Sequence, residues 1–68
     1  MKNKHFILSV LQYEILLGKA KGLTYKQLGS VLGYSAQYLA ASSSRICSFM
    51  EARNLTHAVA LAAQWNWI

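Results

Sequence analysis

Helix-starting signals recur along this sequence and constrain its fold more than any other feature. Ser9 and Thr24 are each followed three residues later by a glutamine. This spacing is typical of a capping box, in which the two side chains satisfy free backbone amides at the start of a helix. Gly22 and Gly33 suit the left-handed conformation that ends a helix. With no proline and four glycines, the chain has few places for hairpin turns and is predicted to be helical.

These signals predict an all-α fold with four helices. In chain order, the predicted helices cover residues 10–21, a short segment between 24 and 33, a segment from 35 to about 50, and a segment that begins at 54. The middle two are joined by a tight turn at Gly33-Tyr34. A helix, a short turn that contains glycine and a second helix make up the helix-turn-helix pattern.

Apolar residues fall on one face of the two middle helices. In the second helix they are Leu28, Val31 and Leu32, and in the third they are Leu39, Ile46, Phe49 and Met50. We expect these faces to form the core. The tyrosines that we expect to complete the core, rather than to stack on bases, are Tyr13, Tyr25, Tyr34 and Tyr38.

The charge balance favours an anionic partner. Seven lysine and arginine residues against two acidic residues give a formal net charge of +5. Such an excess on a small domain suits a nucleic acid or an acidic membrane surface, and charge alone does not choose between them. No apolar stretch approaches the ~20 residues of a membrane span. The charges are not gathered on one helical face either, which disfavours a membrane-surface peptide.

The residue types present give catalysis little support. The only carboxylates are Glu14 and Glu51, which lie far apart on the helical map. His5 and His57 have no partner at metal-ligand spacing. Cys47 is the only cysteine, so an internal disulfide is impossible and a reducing cytoplasm is the simpler setting. We expect no enzyme activity, no cofactor and no metal, and we expect Cys47 to be a small buried thiol.

From Leu8 to Ile68 the sequence resembles, without a gap, the LuxR/GerE-type DNA-binding domain of bacterial regulators. The two most specific stretches are Ala20-Lys21-Gly22-Leu23-Thr24-Tyr25-Lys26-Gln27-Leu28-Gly29 and Asn54-Leu55-Thr56-His57-Ala58-Val59-Ala60-Leu61-Ala62-Ala63. Shorter matches are Leu8-Ser9, Glu14-Ile15-Leu16, Leu32 and Ser35. The resemblance implies a four-helix LuxR/GerE-like helix-turn-helix domain over residues 8–68, preceded by a short arm of residues 1–7.

The predicted recognition helix departs from the family pattern. Where the family usually has threonine-valine-lysine-x-histidine, this chain has Tyr38-Leu39-Ala40-Ala41-Ser42. Ala40 therefore replaces the lysine that commonly reaches bases. Glu51 stands where a glycine is expected after this helix, and Lys19 stands where the family prefers an apolar residue. These departures bear on DNA reading more than on the fold.

The side of the third helix opposite its apolar stripe is the side that a helix-turn-helix places in the major groove. Gln37 could pair with an adenine edge, and Arg45 with guanine or a phosphate. At the start of the second helix, free amides, the helix dipole and Lys26 suit a phosphate. A solvated helix face and a simple helix cap are the alternatives. The candidate DNA-binding residues are Thr24, Tyr25, Lys26, Gln37, Ala40, Ala41, Ser44, Arg45 and Ser48.

The candidate dimer interface is a stripe on the fourth helix that consists of Ala58, Leu61, Ala62 and Trp65. Small side chains permit close helix approach, and a tryptophan can anchor an interface. The family dimerises through this helix, so the resemblance implies a homodimer on two half-sites about one DNA turn apart. The alternative is that the stripe packs inward on its own chain. Trp67 and Ile68 favour the interface, because so small a domain has difficulty covering them.

Two functions of different classes compete. The first is a dimeric DNA-binding transcriptional regulator of the cytoplasm that inserts helix 3 (about residues 36–50) into the major groove of double-stranded DNA. Only seven residues precede the match, so we expect it to stand alone, without a receiver or ligand-sensing domain. The second is a protein-interaction module that pairs through its C-terminal helix with a full-length LuxR-type regulator and modulates it without reading DNA. The alanines and serines of helix 3 favour this alternative.

Overall fold

The computed structural model describes residues 9–68 and is helical in this range, with no β-strand. Its helices are α1 (Val10–Ala20), α2 (Tyr25–Leu32), α3 (Ala36–Met50) and α4 (Leu55–Gln64). The all-α class and the four helices predicted from the sequence are confirmed. The predicted arm of residues 1–7 lies outside the described residues.

Each of these helices begins at a side-chain cap. The hydroxyl of Ser9 accepts the amide of Gln12 at 3.1 Å, and the Gln12 side chain accepts the amide of Ser9 at 3.0 Å. Thr24 and Gln27 make the same reciprocal pair at 3.1 and 2.8 Å. Both predicted capping boxes are therefore confirmed. α3 and α4 begin at the single caps Ser35 and Asn54.

The four helices also end alike, in the left-handed turn of a Schellman motif. The residues with positive φ are Gly22 (88°), Gly33 (84°), Glu51 (58°) and Asn66 (63°). In each case the next residue donates its backbone amide to the carbonyl oxygen five residues earlier. At α3 the amide of Ala52 donates to the carbonyl oxygen of Cys47 at 2.8 Å. Glu51 thus adopts the backbone for which glycine is the usual residue.

α3 is the central helix and packs against each of the other three, and α1 also packs against α4. Among residues 9–68, four large side chains are fully buried, namely Ile15, Leu16, Leu39 and Ile46. Leu28, Met50, Ala58 and Ala62 complete the buried cluster. Full burial of a large aliphatic side chain contributes about 1.5–3 kcal/mol. These contacts leave the opposite side of α3 outside the core.

The turn between α2 and α3 is tight because of Gly29. The amides of Gly33 and Tyr34 both donate to the Gly29 carbonyl oxygen, at 2.8 and 3.1 Å. A side chain at Gly29 would collide with the backbone carbonyl of Tyr34. Because glycine has no such side chain, the turn closes onto α2, and this closure sets the direction in which α3 leaves the turn.

Val31 and Phe49 lie on the surface, with 76% and 56% of their area exposed, so their assignment to the apolar faces was wrong. α2 buries Leu28 and Gly29. Because the centre of its buried face lies between these two residues, Val31 falls outside it. Phe49 lies at the edge of the buried stripe of α3, whereas Ile46 lies within the stripe and is fully buried.

Candidate nucleic-acid interface

The outward side of α3 is exposed from its first turn to its last. We call it the α3 face and define it as Gln37, Ala40, Ala41, Ser44, Arg45 and Ser48, all of which are exposed. The opposite side is buried through Leu39, Ser42, Ser43, Ile46 and Met50. The helix is therefore cleanly two-sided. Every α3 position predicted to contact DNA lies on the solvent side.

Short side chains dominate the α3 face. Two alanines and two serines leave the backbone of α3 close to the outer boundary of the molecule. Gln37 near the amino-terminal end and Arg45 one to two turns before the carboxyl-terminal end are its only long polar side chains. Chemically, the face has low relief, one amide that can both donate and accept hydrogen bonds, and one guanidinium.

Ser42 and Ser43 belong to the interior. Ser42, which occupies the position of the family's histidine, is 8% exposed, and Ser43 is 3% exposed. The hydroxyl of Ser43 donates to the carbonyl oxygen of Leu39 at 2.8 Å, one helical turn back. A serine on the buried side of a helix can satisfy its hydroxyl in this way. The position of the family's histidine therefore does not face outward here.

A stacked pair of tyrosines stands at the amino-terminal end of the α3 face. The rings of Tyr34 and Tyr38 lie 5.1 Å apart between centroids, with 16° between their planes. They are 44% and 46% exposed, and Tyr13 on α1 is 39% exposed, so the expectation that these three complete the core was wrong. Sequence reasoning missed the pair, although Tyr38 has the helical spacing to Ala41 and Arg45 that places it on the outward side.

Two of the three residues that were predicted to contact DNA at the start of α2 are exposed to solvent. Thr24 and Lys26 are exposed. Thr24 is also the N-cap of α2. Its alternative role as a simple helix cap therefore holds whether or not it also contacts a phosphate. Tyr25 is half-buried and packs against the core. The ammonium nitrogen of Lys19 lies 4.5 Å from the centroid of the Tyr25 ring.

The two alanines of the predicted α4 stripe face inward. Ala58 and Ala62 have no exposed area, so in this fold their side chains cannot contact a partner, and the part of the predicted interface that rests on them is corrected. The reason is their spacing of four residues, which places both on the line of α4 that packs against α1 and α3. Leu61 and Trp65 are half-buried and retain some exposed area.

The carboxyl-terminal residues fold back onto their own chain. The amide of Trp67 donates to the carbonyl oxygen of Ala62 at 2.8 Å. The Trp67 ring meets Trp65 edge-to-face, with centroids 5.0 Å apart. Trp67 and Ile68 are half-buried against the core, so the expectation that so small a domain has difficulty covering them was wrong.

His57 and Cys47, which were considered above for metal binding and catalysis, both have contacts within the fold. His57 accepts the amide of Arg53 on Nδ1 at 3.0 Å and so helps to start α4. Partial burial raises the pKa of the Cys47 thiol. Within residues 9–68, no three histidine, cysteine or acidic side chains are grouped so that they could hold a metal ion. No helix in the same range is long and apolar enough to cross a membrane.

The comparisons with known proteins found no relative. No protein-family model matches this chain, and neither a curated protein nor a solved structure matches it. The likeness to the LuxR/GerE domain therefore rests on the residues quoted above.

Proposed function

We propose that this protein is a DNA-binding transcriptional regulator that inserts α3 into the major groove of double-stranded DNA. The observation that carries the proposal is the α3 face, which is exposed from the first turn of the helix to the last, while the opposite side of α3 is buried in the core. The major groove is about 12 Å wide and admits one α-helix. Because the side chains of the face are short, the backbone of α3 can lie deep in that groove.

Gln37 and Arg45 supply the base contacts in this proposal. A glutamine amide can donate to and accept from the edge of an adenine, and an arginine can make two hydrogen bonds to a guanine. Ala40, Ala41 and Ser44 discriminate weakly between bases and contribute mainly by their small size. Ser48 lies closer to the end of the helix and could donate its hydroxyl to a phosphate.

The start of α2 positions the protein on the phosphate backbone. The first amides of a helix have no partner inside the helix and carry the positive end of its dipole. Lys26 is exposed beside them, and Lys21 is exposed in the preceding turn. The hydroxyl of Thr24 can donate to a phosphate oxygen while its oxygen accepts the Gln27 amide. A net charge of +5 adds a general attraction to DNA.

A homodimer belongs to the same proposal, and it would act in the bacterial cytoplasm, where the DNA is. Leu61 and Trp65 of α4 are the residues that could form the contact, since each retains exposed area. Two linked domains bind two half-sites more tightly than one domain binds one half-site, because the second contact is intramolecular.

The test is a binding titration with fluorescently labelled genomic fragments at two salt concentrations, about 50 and 200 mM. We expect a subset of fragments to bind more tightly than the bulk, and the affinity for all of them to fall steeply with salt. A chain that binds no fragment at the lower salt concentration contradicts the proposal. Equal affinity for every fragment contradicts base reading by the α3 face.

A protein-interaction module is the second candidate, and the composition of the α3 face favours it. Ala40 takes the place of a base-contacting lysine, and Arg45 is the only cation of α3. Such a module would pair through Leu61 and Trp65 with another LuxR-type regulator. Absence of DNA binding, together with formation of a stable complex with such a regulator, would favour this function.

A further inference from the structure

We infer that the stacked tyrosines Tyr34 and Tyr38 form an apolar contact for thymine methyl groups, so that the DNA target carries A·T base pairs opposite the amino-terminal end of α3. The inference rests on the proposed function and specifies what the proposed site recognises. It concerns two residues that the resemblance to a known family does not assign to DNA contact.

The two tyrosine rings hold each other in place. Each ring supports the other across 5.1 Å, at an angle of 16° between their planes. Stacking restrains both side chains before any ligand arrives, so little side-chain entropy remains to be lost on binding. Close to half of each side chain is still exposed, at 44% and 46%. A tyrosine in this state offers an apolar ring with a polar tip.

The pair lies beside the α3 face, at its amino-terminal end. Tyr38 and Ala41 are three residues apart, so they are neighbours on the helix surface. Together they form a small apolar area beside the Gln37 amide. In the major groove the thymine methyl is the apolar feature of a base pair, and alanine and aromatic side chains contact it. Gln37 suits the adenine of the same kind of base pair, so both contacts select A·T.

The separation between this end of α3 and Arg45 limits the length of the half-site. Tyr38 and Arg45 are seven residues apart. At about 1.5 Å per residue they are separated by about 10 Å along the helix. Base pairs are stacked about 3.4 Å apart, so this distance spans at most about three base pairs, the value for a helix parallel to the DNA axis. The half-site is therefore expected to carry A·T pairs within about three base pairs of a G·C pair that Arg45 reads.

The experiment uses the full wild-type chain and alters the DNA instead of the protein. Duplexes with a randomised core of about 20 base pairs, enough for two half-sites, are selected by the wild-type chain. In the enriched duplex, each thymine is replaced by uracil, which lacks only the C5 methyl group. Loss of one methyl contact should weaken binding about fourfold, the equivalent of burying one CH₂ group. We expect this loss at the thymines opposite the amino-terminal end of α3.

The variant Tyr38→Ser links the effect to the tyrosine. It should bind the thymine duplex more weakly than wild type does, and its loss of affinity when uracil replaces thymine should be smaller than that of wild type, because only Tyr34 and Ala41 remain to contact the methyl group. Tyr13→Ser is the matched control, because Tyr13 is a similarly exposed tyrosine on α1. It should keep the full uracil effect. Circular dichroism of both variants checks that each is folded.

The outcomes separate this inference from the proposed function. An enriched duplex whose affinity is unchanged by uracil, or a uracil effect that persists undiminished in Tyr38→Ser, overturns the inference and leaves DNA binding intact. If no duplex is enriched and none binds, the proposed function fails and the inference fails with it. Because the uracil replacement alters only the DNA, the first result does not depend on the folding of a variant.

Discussion

The ammonium group of Lys19 lies over the ring of Tyr25, with its nitrogen 4.5 Å from the ring centroid. The contact joins the last turn of α1 to the first turn of α2. The LuxR/GerE pattern prefers an apolar residue at the position of Lys19. A lysine there would destabilise the fold if its charged group were directed into the core. Here the Lys19 side chain is half-buried, and its charge meets the face of an aromatic ring.

A double-mutant cycle should measure this contact. Lys19→Met keeps the length of the side chain without its charge, and Tyr25→Leu removes the aromatic face. We expect the cycle to give a coupling energy of about 0.5–1 kcal/mol in the free energy of unfolding, typical of an exposed cation–π pair. Urea unfolding of the four proteins is the measurement. A coupling energy of zero would show that Lys19 acts only through packing.

Replacing Glu51 by glycine should stabilise the protein. Glu51 has a φ of 58°, and this left-handed backbone costs a residue with a side chain roughly 1–2 kcal/mol. Part of this gain is offset by the greater freedom of glycine in the unfolded chain, so we expect Glu51→Gly to raise the free energy of unfolding by about 1 kcal/mol. Glu51→Ala removes the charge without relieving the backbone and should not stabilise. Similar stabilities of the two variants would assign the effect to charge instead.

Arg45 and Lys26 should affect DNA binding in different ways. Arg45→Ala should cost about 1–3 kcal/mol on the preferred sequence, because a base contact is lost. Arg45→Lys, which keeps the charge, should recover little of this loss if the contact is bidentate. Lys26→Ala should weaken binding to all sequences alike and lower the salt slope by about 1. Titrations at several salt concentrations distinguish the two patterns, and unchanged affinity in both alanine variants would favour the interaction module.

The dimer should depend on the residues of α4 that remain accessible. We expect Leu61→Lys to dissociate it, because an unpaired charge would be placed in the contact, and Trp65→Ala to weaken it by about 2 kcal/mol or more. Ala60→Lys is the matched control, since Ala60 is exposed on the same helix. Sedimentation at micromolar concentration gives the oligomeric state, and thermal unfolding checks that each variant is folded. A wild-type monomer that still binds a palindromic site tightly would rule out this interface.

Cys47 should react slowly with alkylating reagents. Burial raises the pKa of its thiol, and only the thiolate is nucleophilic. The alkylation rate of the folded chain should therefore rise at higher pH than that of the same chain in denaturant. The pKa of Cys47 is higher in the folded chain than in the unfolded chain, so the protonated thiol contributes to the free energy of unfolding. This contribution is complete below the unfolded pKa and is lost as pH rises through the folded pKa. Mass spectrometry of iodoacetamide-treated samples from about pH 7 to 10 measures the rate. Identical pH profiles in both states would contradict the burial effect.

Most of the helix boundaries could be predicted because they depend on short-range contacts. The cap at Ser9 needs only Gln12, and the cap at Thr24 needs only Gln27, each three residues along the chain. The left-handed ends at Gly22 and Gly33 are equally local. The outward position of Arg45 follows from helical periodicity once the buried side of α3 is known. These features need no knowledge of the distant parts of the chain.

Whether a side chain faces the core or a partner is a different matter, and only the tertiary structure decided it. The spacing of Ala58 and Ala62 suits a dimer contact and a core contact equally well, and they are buried because α1 and α3 lie against that side of α4. Tyr34 and Tyr38 have the size of core residues, yet they remain exposed because no helix within residues 9–68 covers the start of α3. Periodicity determines which residues share a face, whereas burial depends on which other helix packs against that face.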